Sequence, residues 1–238
     1  MVACGPAPVI GYVLGELRQA GITDILLVSR SGKSMLEDFV FESWPGACVI
    51  RQPEQKGLGD AVALARRWVG DHPFVVALGD TIIQSNASAP ASPLMRMIRA
   101  VPSPESSVVL VREVKPELLN RYGIVDPVEM PAGGEVSFML RDIIEKPSLE
   151  AAPSRWAVAG RYIFSPAVFD ALNEICPAAD GEIQLTDAMR RLCRTSGGLY
   201  ASALLPGERR FDIGSFDSYY EAFQALSCST AGQPEERK

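Results

Sequence analysis

Asp80 and Asp212 both stand where an α/β protein can place a metal ligand. Asp80 closes Leu78-Gly79-Asp80-Thr81, directly after the apolar run Phe74–Leu78, and Asp212 lies in Phe211-Asp212-Ile213-Gly214. A carboxylate at the carboxyl end of a buried strand can hold Mg²⁺ while substrate phosphates complete the shell. Taken singly, each is equally a turn former or a helix cap. Gln52 precedes the glycine-bearing stretch Lys56-Gly57-Leu58-Gly59. Glycines there let the backbone approach a flat ring, and a side-chain amide can both donate and accept along one pyrimidine edge. The alternative is a plain connecting turn. Glu145-Lys146-Pro147 ends a long apolar run. Successive strand side chains point to opposite faces, so a bend at Pro147 must bring Glu145 and Lys146 to one pocket. The alternative is a solvated strand end.

Other chemistries have less support. His72, between Asp71 and Pro73, is the single histidine, so a Ser-His-Asp triad would depend on a turn residue. The five cysteines are odd in number and show no C-x-x-C spacing, which reads as reduced thiols in a cytoplasmic protein. A net charge of −6 argues against wrapping nucleic acid. No run of ~18 apolar residues suggests a membrane span, and no basic stretch followed by an apolar run suggests a secretory signal.

The elements that must carry these residues follow a simple rhythm. Ile10, Val13, Leu14 and Leu17 have helical spacing, and Gly21 ends that helix. Ile25–Val28 and Cys48–Ile50 read as short buried strands. Between them, Ser34 and Glu37 have capping-box spacing ahead of a helix that buries Met35, Leu36 and Phe39. Asp60 is expected to cap the next helix, and Phe74–Leu78 is a third strand. This alternation predicts a parallel sheet covered on both faces. Ser85–Pro93 reads as a mobile surface loop. The second half predicts strands at Tyr122–Val128 and Val136–Ile144 joined through Gly133-Gly134, then at Ala157–Phe164, Leu199–Leu204 and Arg210–Asp212. Helices are predicted at Pro166–Ile175, Leu185–Arg194 and Phe216–Leu226.

Taken in order, the motifs form a recognisable series. They are Val49-Ile50-Arg51-Gln52, Lys56-Gly57-Leu58-Gly59-Asp60-Ala61-Val62, Leu78-Gly79-Asp80, and Arg121-Tyr122-Gly123-Ile124-Val125. Ile144-Glu145-Lys146-Pro147, Val158-Ala159-Gly160-Arg161-Tyr162, Gly181-Glu182-Ile183-Gln184-Leu185-Thr186-Asp187-Ala188 and Phe211-Asp212-Ile213-Gly214 follow. From about Pro8 to Phe223 the chain resembles the bacterial UTP–glucose-1-phosphate uridylyltransferases, in the sugar nucleotidyltransferase family. The resemblance implies a doubly wound, mostly parallel α/β sheet of the nucleotide-diphospho-sugar transferase type with an added β-rich sugar-binding part. It implies that Gln52 and Gly57 contact uracil, that Asp80 and Asp212 hold Mg²⁺, and that Gly123 packs against the sugar. Glu145 would bond sugar hydroxyls, Lys146 would bind the sugar phosphate, and Tyr162 and the Glu182–Asp187 segment would support the pocket. Asp80 and Lys146 are thus the catalytic candidates. The implied partners are UTP and a sugar 1-phosphate, with no nucleic acid or membrane; a homo-oligomer is left open.

The family opens with a strand and a G-x-G-T-R loop that residues 1–238 do not show. Residues 1–226 are therefore expected as one nucleotidyltransferase domain incomplete at its start, and 227–238 as a disordered tail. The absent strand would sit between Ile25–Val28 and Phe74–Leu78, leaving these strands roughly 9.6 Å apart with unpaired edges. Poor stability, weak nucleotide binding and little turnover are expected of residues 1–238 alone. The alternatives are a non-catalytic sugar-phosphate or nucleotide-binding homologue, and a transferase for another base or sugar.

Overall fold

The computed structural model describes residues 2–86, 88–131 and 136–230. The chain begins with a two-stranded antiparallel pair, β1 (Ala3–Cys4) and β2 (Ala7–Pro8), and enters helix α1 (Val9–Gln19). Val9, Ile10, Val13, Leu14 and Leu17 bury one face of α1. Strand β3 (Leu26–Arg30), helix α2 (Ser34–Ser43), strand β4 (Cys48–Gln52), and helices α3 (Gly57–Ala63) and α4 (Arg66–Val69) follow. Next come β5 (Phe74–Ala77), β6 (Thr81–Gln84), α5 (Pro93–Arg99), β7 (Ser107–Glu113), β8 (Gly123–Pro127), β9 (Ser137–Glu145) and β10 (Trp156–Phe164). The chain continues through α6 (Ala167–Asn173), α7 (Leu185–Leu192), β11 (Leu199–Ala203), β12 (Arg209–Asp212) and α8 (Phe216–Thr230).

The main sheet has six strands in the order β5-β10-β7-β11-β9-β8. Its alternating side chains feed two cores. Val109 and Val111 of β7 face α3, α4, α6 and α7 with Leu140, Phe164, Phe169 and Met189. Val108 and Leu110 of the same strand face α1, α2 and α5 with Leu14, Val40, Leu94 and Met97. A third cluster seats α8 through Ala222 and Leu226 on Ile82 and Phe211.

The expected α/β class with a β-rich part is present, but the strand pairings are mixed. β3–β4 and β7–β11 run parallel, whereas β10–β5, β10–β7, β11–β9, β8–β9 and β12–β6 run antiparallel. The helix–strand rhythm predicts parallel neighbours only when consecutive strands pair; here β5 pairs with the distant β10. β3 and β5 do not pair with each other. Between them lies a cavity of about 1080 Å³, lined by Ile10, Val13, Leu27, Val28, Val75 and Val76 among others.

Several local expectations change. Ser34 makes no side-chain cap, because α2 begins at Ser34 itself with Lys33 before it. Glu37 instead accepts from Ser29 and Arg51, tying α2 to β3 and β4. Met35 is 64% exposed, and Val40 is the buried apolar residue of α2. Asp60 lies inside the first turn of α3 and accepts from Gln52 rather than capping the helix. Pro93, the end of the expected loop, starts α5, which Ser92 caps by accepting from the Met95 amide. α8 runs through Ser227–Thr230; the remainder of the expected tail, 231–238, lies outside the described residues, as does the Gly133-Gly134 hairpin turn.

Candidate active site

The pairing of β6 with β12 brings the backbones of Asp80 and Asp212 into neighbouring positions. Asp212 stands opposite Thr81, and the next residue, Ile213, donates its amide to the Asp80 carbonyl at 3.0 Å. Thr81 Oγ1 donates to Asp80 Oδ1 at 3.2 Å. Asp212 accepts from Arg210 Nη2 and from the Gly214 amide, each at 3.0 Å. The turn that holds Asp80 is anchored from beneath. Gly160 breaks the β10–β7 register with a bulge at φ 82°, and a Cβ there would meet Leu78 and Thr81 at 3.3 Å. The bulge sends the fully buried Arg161 under the turn, where it donates to the carbonyls of Leu78 and Thr81 and to Glu16 of α1.

Glu145 and Lys146 form a second group. Gly123 pairs with Glu145 across β8–β9, and a Cβ on Gly123 would meet Glu145 Oε2 at 3.3 Å. Thr186 Oγ1 donates to Glu145 Oε2 at 2.6 Å. The bend that reorients Lys146 lies at Lys146 itself rather than at Pro147: its φ is 45°, the one positive value at a non-glycine among the described residues. A non-glycine residue there carries strain of about 1–3 kcal/mol. Its amide donates to the Tyr122 carbonyl at 3.0 Å, and its ammonium, on a side chain 62% exposed, lies 3.7 Å from Glu145 Oε1.

Gln52 ends β4 and donates to the Gly57 carbonyl at 3.2 Å and to Asp60 Oδ2 at 2.6 Å. Gly57 and Gly59 are needed for a reason the sequence does not show. Cβ atoms on them would meet the Ile183 carbonyl at 2.8 and 2.6 Å, and Gly57 has φ 87°. Gly59 donates to that carbonyl, and the Ile183 amide donates to Lys56. The segment that ends in Thr186 therefore connects the Gln52 loop to Glu145. Tyr162 is buried in β10 and stacks on Phe164 at 5.5 Å. Burial pushes its hydroxyl well above the usual phenol range, with Arg210 acting in the opposite sense and Glu145 and Asp80 adding to the rise.

Arg112 and Arg210 lie outside the motifs, and Arg161, though inside Val158–Tyr162, carries no role read from the sequence. Arg210 carries a usable signal, because residues two apart on a strand share a face and Asp212 follows it by two. Among the described residues no group of three or more His, Cys, Asp or Glu side chains gathers for a metal. Cys4, Cys48, Cys176 and Cys193 are free thiols, and burial pushes Cys193 up to about 12. No helix of the described residues is long and apolar enough to cross a membrane.

A sequence profile of the nucleotidyl transferase family matches residues 1–228. The chain belongs to that family. Among its relatives, UTP–glucose-1-phosphate uridylyltransferase of Pseudomonas aeruginosa is 33% identical over 242 residues, covering 90% of this chain and 83% of the relative. The Bacillus subtilis protein of the same name is 36% identical over 209 residues, covering 78% and 69%. Among solved nucleotidyl transferases, a UDP-glucose pyrophosphorylase complexed with UDP-glucose superposes with a TM-score of 0.83 at 30% identity, covering 94% of this chain and 88% of that one. A UTP-bound pyrophosphorylase from Acinetobacter baumannii gives 0.82 at 30% identity, covering 97% and 88%.

Proposed function

We propose that this nucleotidyl transferase moves the uridylyl group of UTP onto glucose 1-phosphate, giving UDP-glucose and pyrophosphate. What supports this reading most is the β6–β12 pairing, which joins the backbones of Asp80 and Asp212, with the Glu145–Lys146 pair at the end of β9 as the second support. The names of the relatives supply the substrates. In the reaction a phosphate oxygen of glucose 1-phosphate attacks the α-phosphorus of UTP. The bond from that phosphorus to the bridging oxygen breaks, and pyrophosphate carries away the electron pair. Such a displacement needs alignment and charge neutralisation rather than a protein nucleophile.

Asp80 and Asp212 would hold Mg²⁺. Two carboxylates without further protein ligands suit this ion, which keeps waters and phosphate oxygens in its shell. Bound there, it neutralises phosphate charge. Glu145, already oriented by Thr186, would accept from sugar hydroxyls, and Gly123 would leave room for the ring beside it. Lys146, turned out of its strand by its positive φ, would offer its ammonium to the sugar phosphate. Gln52 and Gly57 would face uracil, with Gln52 exchanging its bond to Asp60 for the base edge. Free thiols support a reducing, cytoplasmic setting, and the two faces of the main sheet support reading residues 1–226 as one domain.

The test is product formation from UTP, dTTP and GTP, each with glucose 1-phosphate and galactose 1-phosphate, at enzyme concentrations close to those of substrate so that slow turnover still registers. UTP with glucose 1-phosphate should give the most product. A preference for GTP or dTTP would overturn the base assignment.

A further inference from the structure

Two guanidinium groups near Asp212 are under-compensated. Arg112 of β7 and Arg210 of β12 lie over the same ring, that of Tyr122, at 5.4 and 5.0 Å from its centroid. The Arg210 side chain is only 6% exposed. Its Nη2 donates to Asp212, but its Nε and Nη1 have no partner, and Arg112 Nε has none either. Arg112 Nη2 donates to the Tyr122 hydroxyl at 3.3 Å. Among the described residues, Asp212 is the one carboxylate bonded to either arginine. Two cations thus share one anion where water is largely excluded, and buried charge with unpaired donors is costly unless a ligand completes it.

The surroundings say what that ligand is. The backbone of Lys146 is tied to that of Tyr122, its amide donating to the Tyr122 carbonyl, so the strand end that carries this third cation begins beside the pair's platform residue. Planar guanidinium forks suit the oxygens of a phosphate group. We propose that Arg112 and Arg210 form a phosphate-binding subsite beside Tyr122, continuous with Lys146, that takes the phosphate of the sugar 1-phosphate. The inference rests on reading the Asp80–Asp212 mouth as the reaction site. The phosphate arrives at Lys146 and displaces the arginines from their incomplete arrangement, satisfying the orphaned N–H groups. Tyr122 then acts as the platform that keeps two like charges at one place.

Calorimetry on the full chain separates the possibilities, with glucose 1-phosphate, UTP and inorganic pyrophosphate as probes for wild type, Arg112→Gln, Arg210→Gln and Arg210→Lys. Hydrogen bonds to charged groups predict a loss of about tenfold to a hundredfold in glucose 1-phosphate affinity for each Gln variant. UTP affinity should stay within about threefold, with Arg210→Lys intermediate because it keeps the charge and loses the fork. Loss confined to UTP or pyrophosphate would overturn the assignment to the sugar phosphate. Equal glucose 1-phosphate affinity in all variants, with or without a lowered melting temperature, would make the arginines structural and overturn the subsite. Should Arg210→Gln not fold, the half-buried Arg112 carries the test through Arg112→Gln and Arg112→Lys. Wild-type protein that binds UTP but not glucose 1-phosphate overturns the subsite alone. Binding of neither overturns the reading of the mouth as well.

Discussion

In β10 every residue from Ala157 to Phe164 is buried, whereas in β3 only Ser29 is. Both strands are rich in apolar residues, yet β10 is paired on both edges and β3 on one. The Glu145–Lys146 group stands on the densely packed region, at the end of β9. The Gln52 loop stands on the two-stranded β3–β4 region, whose inner edge faces the cavity. Pairing, more than apolar content, separates the two. A strand with one free edge forgoes half of its backbone hydrogen bonds and much of its burial. The Glu145–Lys146 side is therefore expected to be rigid, and the Gln52 side to open more readily.

Amide hydrogen exchange offers the largest contrast. Amides of Val108–Val111 and Tyr162–Phe164 should exchange roughly a thousandfold more slowly than those of Leu26–Val28, since sheet cores open only with global unfolding. Equal protection of β3 would mean that β3 and β5 close on each other in solution, and the comparison would fail. Truncation comes next. Phe164→Ala removes a ring that stacks on Tyr162 and packs near Phe74, and should cost about 3–5 kcal/mol in denaturant unfolding. Leu27→Ala beside the cavity should cost about 1 kcal/mol, because few atoms close around it. Comparable losses would indicate one uniformly packed core.

A smaller, pH-dependent effect sharpens the picture within the looser region. Hydrogen bonds from Arg51, then Ser29, hold the Glu37 carboxyl down at about 2. An ordinary unfolded-state glutamate titrates near ~4.3. The folded form therefore binds fewer protons between these values, so Glu37 stabilises the fold above about pH 4.5 and loses that contribution as pH falls toward 2. Glu37→Gln should lower stability at neutral pH and flatten the acid side of the profile in that window. Trp44 fluorescence, with Trp68 and Trp156 replaced by Phe, reports on this region because Trp44 Nε1 donates to the Thr23 carbonyl. An unchanged profile would remove Glu37 as the tie between α2, β3 and β4.

Much of the site was legible because its signals are local. Asp80, Asp212, Glu145 and Gln52 each end or closely follow an apolar run, and the structure sets each near a strand end. What pairs with what was not legible. β7, central and buried on both faces, and β6, which pairs with the strand of Asp212, carry no motif that marks them in the sequence. The antiparallel β5–β10 contact joins residues far apart in sequence, beyond the reach of a periodicity argument. Lys146 shows the same limit at one residue: the positive φ falls on Lys146, whose amide donates to the Tyr122 carbonyl, and no local signal in the sequence marks it. The glycines of the Gln52 loop suggest room for a base, whereas their closest constraint is the Ile183 carbonyl.

Both regions are proposed to serve one reaction at Asp80 and Asp212. The most direct test is UDP-glucose formation from UTP and glucose 1-phosphate with Mg²⁺, comparing wild type with Asp80→Asn, each checked for an unchanged melting curve. Removing one charge-stabilising group at a phosphoryl-type transition state typically costs about 10²–10³ in rate. A loss of that size in Asp80→Asn, with glucose 1-phosphate binding retained, is the predicted result. Equal product from both proteins would contradict the account.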